Sequence, residues 1–313
     1  MSKKKRVLRT TIFIACEGRN TEPIYFEKIV EEIEDQGVFS VTIYPDKSDD
    51  SPVSHALGLV KEARSRIEDF DEVWVVFDRN GYTKHKEAFD LANESVNGKK
   101  VNIAFSSIAF EQWVLLHFIK SATAFTKSAQ IVEFLRGNGY FPDYEKKAYI
   151  DTYSFLRGKT LQAMENSAWL KHDLEKLGLL PSDPVYQLNP YTDVDVLVAR
   201  LLGINERWVW GAEGAPVIFA DVELLVQPQA DLRTLQIAVN NLTGNTLLYN
   251  AANIHQHFFI RSDLRNLPVT IDKTTQILSG SQEIFTLTTP EMYGGYTLEY
   301  RIGPYKVMIA LHA

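Results

Sequence analysis

Along roughly the first 120 residues, short apolar runs alternate with stretches whose apolar positions recur three and four apart. Residues 11–16, 39–44, 73–77 and 101–105 are rich in β-branched and aromatic residues, and each stops at a polar, charged or proline residue. Such runs read as strands, and the first and third, apolar throughout, read as strands buried on both faces of a parallel sheet. Between them, residues 22–36 place Ile24, Tyr25, Ile29, Val30 and Ile33 on one helical stripe that Gly37 closes. Residues 53–67 do the same with Leu57, Leu59, Val60, Ala63 and Ile67, and a third helix is expected over residues 84–96. Strand and helix alternating in this way imply right-handed crossovers and an α/β layer structure.

From about residue 127 to 206 the pattern becomes mainly helical, which reads as an insertion. Around residues 206–216 the chain turns rich in Trp, Gly and Pro, and helical periodicity then disappears. Short alternating runs follow at residues 217–226, 235–239, 246–249, 257–260, 269–271, 284–287, 296–300 and 306–311, separated by turn pairs such as Gly244-Asn245 and Gly294-Gly295. The expected organisation is an α/β domain over residues 1–206 and an all-β, sandwich-like antiparallel domain over residues 216–313.

Composition narrows the function classes. With one cysteine, Cys16, in an apolar run, no disulfide within the chain and no cysteine-based zinc site is available, and a reducing cytoplasm is expected. The net charge of −7 argues against an all-basic nucleic-acid coat without excluding a local patch. Lys3, Lys4, Lys5, Arg6 and Arg9 form such a run, read here as a solvated tail. No apolar stretch reads as a membrane span or signal peptide. Phosphate-cradling Gly-rich loops and a Gly-x-Ser-x-Gly elbow are also missing from the sequence.

The candidate chemistry sits at strand ends. Glu17-Gly18 follows the first run and Asp78-Arg79-Asn80 follows the third. Ligands of open α/β sheets bind beyond the carboxyl ends of the strands, so two acids delivered there suggest a shared divalent-cation site and phosphate chemistry.

Four motifs carry a family resemblance: Cys16-Glu17-Gly18-Arg19-Asn20-Thr21-Glu22 with Tyr25-Phe26, the run from Val73 into Asp78-Arg79, Phe110-Glu111-Gln112-Trp113 through His117-Phe118, and Asn189-Pro190-Tyr191-Thr192-Asp193. Over about residues 8–205 the chain resembles the RloB-like proteins, a family associated with phage defence and abortive infection and similar to Toprim-fold nucleases. The resemblance implies a Toprim-like parallel sheet with a helical insertion. It also implies Mg2+ or Mn2+ as cofactor, with Glu17 as ligand or general base, Asp78 as ligand, and Glu111 as a further ligand.

Asn80 stands where the resemblance places a second aspartate. Its amide can coordinate but brings neither the charge nor the basicity of a carboxylate. A weakened or regulatory natural site and a deliberate isosteric Asp→Asn change both account for it. His117 reads as a core histidine on a packed helix face. His255 and His257 would share one face of a strand without a third ligand, and Asn189-Pro190 with Thr192 and Asp193 reads as a turn leading into a helix cap.

The expected function is therefore a metal-dependent nuclease, with RNA, and tRNA in particular, preferred over DNA. It would act in antiphage abortive infection, with an ATPase partner or a homo-oligomer as candidate regulator and no membrane association. The alternative is a catalytically degenerate Toprim-like module that binds or docks within a defence complex.

Overall fold

A computed structural model describes residues 9–46, 53–81, 83–146, 151–262 and 265–312. The chain divides into two compact units, Met1–Ile204 and Asn205–Ala313. Lys3 to Arg6 of the basic run lie outside the described residues.

The first unit follows the order β1 (Thr10–Cys16), α1 (Thr21–Ile33), β2 (Phe39–Tyr44), α2 (Ala56–Ser65), β3 (Glu72–Asp78), α3 (His85–Asn93), β4 (Val101–Ser107) and α4 (Glu111–Leu116). It continues through α5 (Ser128–Gly137), α6 (Thr152–Leu156), α7 (Thr160–Lys176), β5 (Tyr191–Thr192) and α8 (Val194–Leu202). The strands hydrogen-bond in the order β2-β1-β3-β4-β5. The first four run parallel, with Ile14 beside both Ile43 and Trp74. Ile12 to Cys16 and Val73 to Asp78 are buried at every position, as strands covered on both faces must be.

Helix starts and stops have local causes. The His55 ring accepts the Gly58 N–H at 3.1 Å and opens α2, and Gly37, at φ +67°, ends the short 3-10 turn that follows α1. The sheet departs from the all-parallel expectation at its edge, where β5 pairs antiparallel with Ser106 and Ser107 of β4. The β5 residues Tyr191 and Thr192 lie inside the Asn189–Asp193 motif, which reads in the sequence as a turn and helix cap. The Thr192 hydroxyl meets that of Ser106 at 2.9 Å and also accepts the Val194 N–H at 3.2 Å, so one side chain anchors the strand and starts α8.

Trp113 and His117 pack in the core. Trp113 Nε1 donates to the Tyr25 hydroxyl at 2.9 Å, and burial holds the His117 pKa down at about 4. Among the described residues, no helix is long and apolar enough to cross a membrane.

The second unit is built from strands. One five-stranded sheet runs Asn266–Leu267, Phe258–Arg261, Thr297–Ile302, Tyr305–Ala310, Arg207–Ala212, a second runs Thr270–Ile271, Ser281–Thr288, Thr234–Asn241, Val222–Pro228, Val217–Phe219, and Leu247–Tyr249 pairs with Thr275–Ile277 in a two-stranded sheet. Residues of both five-stranded sheets, among them Leu224, Ile237, Phe258, Phe285 and Tyr300, join one core. The pairing is not purely antiparallel, because Arg207–Ala212 lies parallel to Tyr305–Ala310. That strand falls in the Trp- and Gly-rich segment read as a boundary. Its backbone is paired on one side only, and Gly211 is needed because a Cβ there would collide with the Val217 side chain.

The single run expected at residues 217–226 is a hairpin turned at Ala220-Asp221, both at positive φ as tight hairpin turns require. His255 and His257 lie in a short helix, Ile254–His257, rather than on a strand face, and His257 Nδ1 contacts the Arg301 carbonyl at 3.1 Å.

Candidate functional site

Strands β1 and β3 are neighbours, yet the chain leaves β1 toward β2 on one side and reaches β3 on the other. The crevice between their carboxyl ends is thus a topological switch point, where open α/β sheets take ligands. Glu17 follows β1, and its N–H prolongs the ladder to the Val76 carbonyl at 2.9 Å. Asp78 ends β3 and donates its N–H to Glu17 Oε2 at 3.0 Å. Glu111 opens α4, just past β4, and is fully buried. Glu22 lies in the first turn of α1, also buried. Gly18 lets this carboxylate approach, because a Cβ there would collide with Glu22 Oε2.

The helical insertion closes the cluster. Lys146 brings its ammonium to 3.1 Å from Glu111 Oε2 and 3.9 Å from Asp78 Oδ2. The Tyr144 hydroxyl donates to Glu111 Oε1 at 2.9 Å, and the Thr21 hydroxyl donates to the Lys146 carbonyl at 3.0 Å. A cleft of about 610 Å³ is lined by Ser128, Val132, Glu133, Arg136 and Lys146 among others, and none of the four acids lines it.

Burial and like charge govern the electrostatics. Burial, reinforced by Glu17, pushes the Asp78 carboxyl well above the usual range, with Lys146 opposing. Burial also raises Glu17, partly offset by the Asp78 N–H, and burial together with Glu111 carries Glu22 up to about 7. For Lys146, burial alone would favour the neutral amine. The combined pull of Glu111, Asp78 and Glu22 outweighs it, and its pKa rises. The acids outnumber the cations, so the site has a demand for further positive charge, met by protons in their absence.

The structure brings Glu17, Asp78 and Glu111 together. Asn80 is exposed, with its N–H on the Ile108 carbonyl at 3.3 Å. Among the described residues, no hydrogen bond or ion pair joins its side chain to the three acids. The sequence reading missed Glu22, Tyr144 and Lys146. Glu22 had a signal, an acid at a helix start five positions after Glu17, whereas Tyr144 and Lys146 reach the sheet edge only through the fold of the insertion.

Among the described residues, no three His, Cys, Asp or Glu side chains form a ready metal-ligand group, since the carboxylates gather around an ammonium. Their chemistry nonetheless suits a hard cation, which prefers carboxylate oxygens. Among the described residues, the buried Asp78 Oδ1 has no hydrogen-bond partner, a condition that calls for a further donor or cation.

Among solved structures, the chain is similar to the yjhA protein from Bacillus subtilis, with a TM-score of 0.26 and 12% identity over 32% of this chain and 98% of that one. It is also similar to CapF with the inhibitor 3-isopropenyl-tropolone, with a TM-score of 0.17 and 9% identity over 91% of this chain and 93% of that one. Scores this low carry no argument. No curated protein matches. The family model described as RloB-like protein matches residues 12–201, more than half of the sequence and the span holding Glu17, Glu22, Asp78, Glu111 and Lys146, and the chain belongs to that family.

Proposed function

We propose that the first unit is a metal-dependent nuclease acting on RNA, with tRNA the first substrate to test, in antiphage abortive infection. The observation that carries this reading is the buried, unpartnered Asp78 Oδ1 within a group of four acids at the sheet's switch point. Glu17 and Asp78 would hold Mg2+ or Mn2+, with Glu111 and the Asn80 amide as further candidates. When bound, the ion polarises a phosphoryl oxygen and makes hydroxide available near neutral pH.

The chain's own groups have distinct parts. The Asp78 N–H fixes the Glu17 carboxylate, which burial makes more basic than an exposed one, as a general base requires. The Tyr144 hydroxyl orients Glu111, and Lys146 sets a fixed positive charge beside the cleft through which a phosphate would enter.

Two features favour a second reading, a degenerate binding or docking module. Asn80 stands exposed where an acid is expected, and Lys146 already compensates two of the acids. In that reading the second unit would dock an ATPase partner or another copy of the chain. End-labelled tRNA and single-stranded RNA incubated with Mg2+ or Mn2+ separate the two. Cleavage that requires metal and disappears in Glu17→Ala and Asp78→Ala supports the nuclease. If the protein and its Asn80→Asp variant bind metal yet cleave neither RNA nor DNA, alone or with genomic neighbours, the binding module stands.

A further inference from the structure

The helical insertion exposes a large apolar ring where burial would be the rule. Phe155, on α6, is 53% exposed although its neighbours Tyr153 and Leu156 are buried. Its ring lies stacked on Phe141, with centroids 4.1 Å apart and planes 22° from parallel, so one face is covered by protein and the other is presented outward. Half-buried Phe118 lies 6.5 Å away and stacks in turn on Tyr140 at 5.5 Å.

A cation lies against this cluster of rings. The Lys159 ammonium stands 4.3 Å from the centre of the Phe118 ring. Arg157, which follows α6, is exposed, and among the described residues its guanidinium pairs with Glu32 at 3.6 Å, a solvent-facing pair of a kind that contributes little. The rings also connect to the acidic site. Phe141 packs on Tyr144 at 5.2 Å, and Tyr144 donates to Glu111, so contacts run unbroken from Phe155 to the carboxylates.

We propose that Phe155, with Phe118, Tyr140, Lys159 and Arg157, forms a stacking platform for unpaired bases of a single-stranded nucleic acid. The inference rests on the nuclease reading of the neighbouring site for its choice of ligand, and it concerns binding alone. An open aromatic face accepts any base, and adjacent cations meet the phosphates on either side, which is how single strands are held without sequence preference. A duplex keeps its bases stacked on one another and cannot use the ring. A protein partner would also cover Phe155, but it would not require the Lys159 ammonium beside the rings, and the choice of a nucleic acid follows from that charge.

The test is fluorescence anisotropy with a fluorescein-labelled 12-nucleotide single-stranded RNA in EDTA, where metal-dependent cleavage is silent. Phe155→Ala should weaken binding roughly tenfold, the scale of one lost base stack, while Phe155→Trp keeps or strengthens it. Lys159→Gln should weaken binding and flatten its salt dependence. An RNA duplex of equal length should bind more weakly and should not distinguish Phe155→Ala from the parent.

Because Phe155→Ala also removes the stack on Phe141, a small fall in melting temperature is expected, and a single cooperative melt confirms that the variant is folded. Unchanged single-strand binding in folded Phe155→Ala, or equal losses for single strand and duplex, overturns the platform. Loss of binding in Phe155→Ala by a protein that never cleaves RNA keeps the platform and rejects only the nuclease.

Discussion

The backbone N–H of Asp78 donates to the carboxylate of Glu17 at 3.0 Å, joining residues 61 positions apart. The bond exists because Cys16 lies beside Val76 in the parallel ladder, which leaves both acids at the same edge. A one-residue slip of β3 against β1 would break it and would exchange the side chains packed on the two covered faces of β3. The register of the ladder is therefore what assembles the acids.

Stability should fall as the pH rises through the acid-to-neutral range. The Glu22 carboxyl is raised from 4.5 to about 7, so the folded state binds more protons than the unfolded chain between those values. The stabilisation is full below about 4.5, is lost as the pH climbs to 7, and is flat above, the reverse of the usual salt-bridged carboxylate. Its upper bound is on the order of 3 kcal/mol. Thermal melts in EDTA at pH 5 and pH 8 measure it, and Glu22→Gln should reduce the difference, the part that remains coming from Asp78 and Glu17, whose carboxyls burial also raises. An unchanged slope in that variant would falsify the assignment to Glu22.

Removing the ammonium should make the protein depend on divalent cations. In Lys146→Gln the fully buried Glu111 loses its ion-pair partner, and breaking such a pair costs about 3–5 kcal/mol unless the acid takes up a proton. A lower melting temperature in EDTA is expected, with a larger recovery on adding Mn2+ than the parent shows. Equal responses to Mn2+ in the two proteins would count against a cation site here.

Asn80→Asp should leave stability within about 0.5 kcal/mol, since the residue is exposed, while strengthening Mg2+- or Mn2+-dependent RNA cleavage. Toxicity on expression is expected to follow. Adding Glu17→Ala or Asp78→Ala in that background should abolish both effects. Cleavage that survives either alanine would place the chemistry elsewhere.

Tyr25→Phe should destabilise the first unit by about 1–3 kcal/mol, because it strands the Trp113 Nε1–H in the core. Urea unfolding reads this directly. The double variant with Trp113→Phe should cost less than the sum of the two singles, since no orphan donor remains. Strict additivity would show that the bond contributes nothing.

The hydrophobic pattern by itself determined the strand–helix alternation of the first unit, the placing of Glu17 and Asp78 at strand ends, and the run of short strands in the second. Burial on both faces requires unbroken apolar runs, and such runs are visible in a linear text. The edge strand Tyr191–Thr192 and the parallel strand Arg207–Ala212 were not visible, because edge strands are short or carry glycine and tryptophan and owe their form to one neighbour.

In the site, the motifs marked Glu17, Asp78 and Glu111. Only the tertiary structure decided that Lys146 and Tyr144 complete it, that Glu22 joins it, and that Asn80 is exposed. Charge compensation in a buried cluster depends on distances of a few ångströms between residues far apart in the chain, and spacing along the sequence carries no record of them.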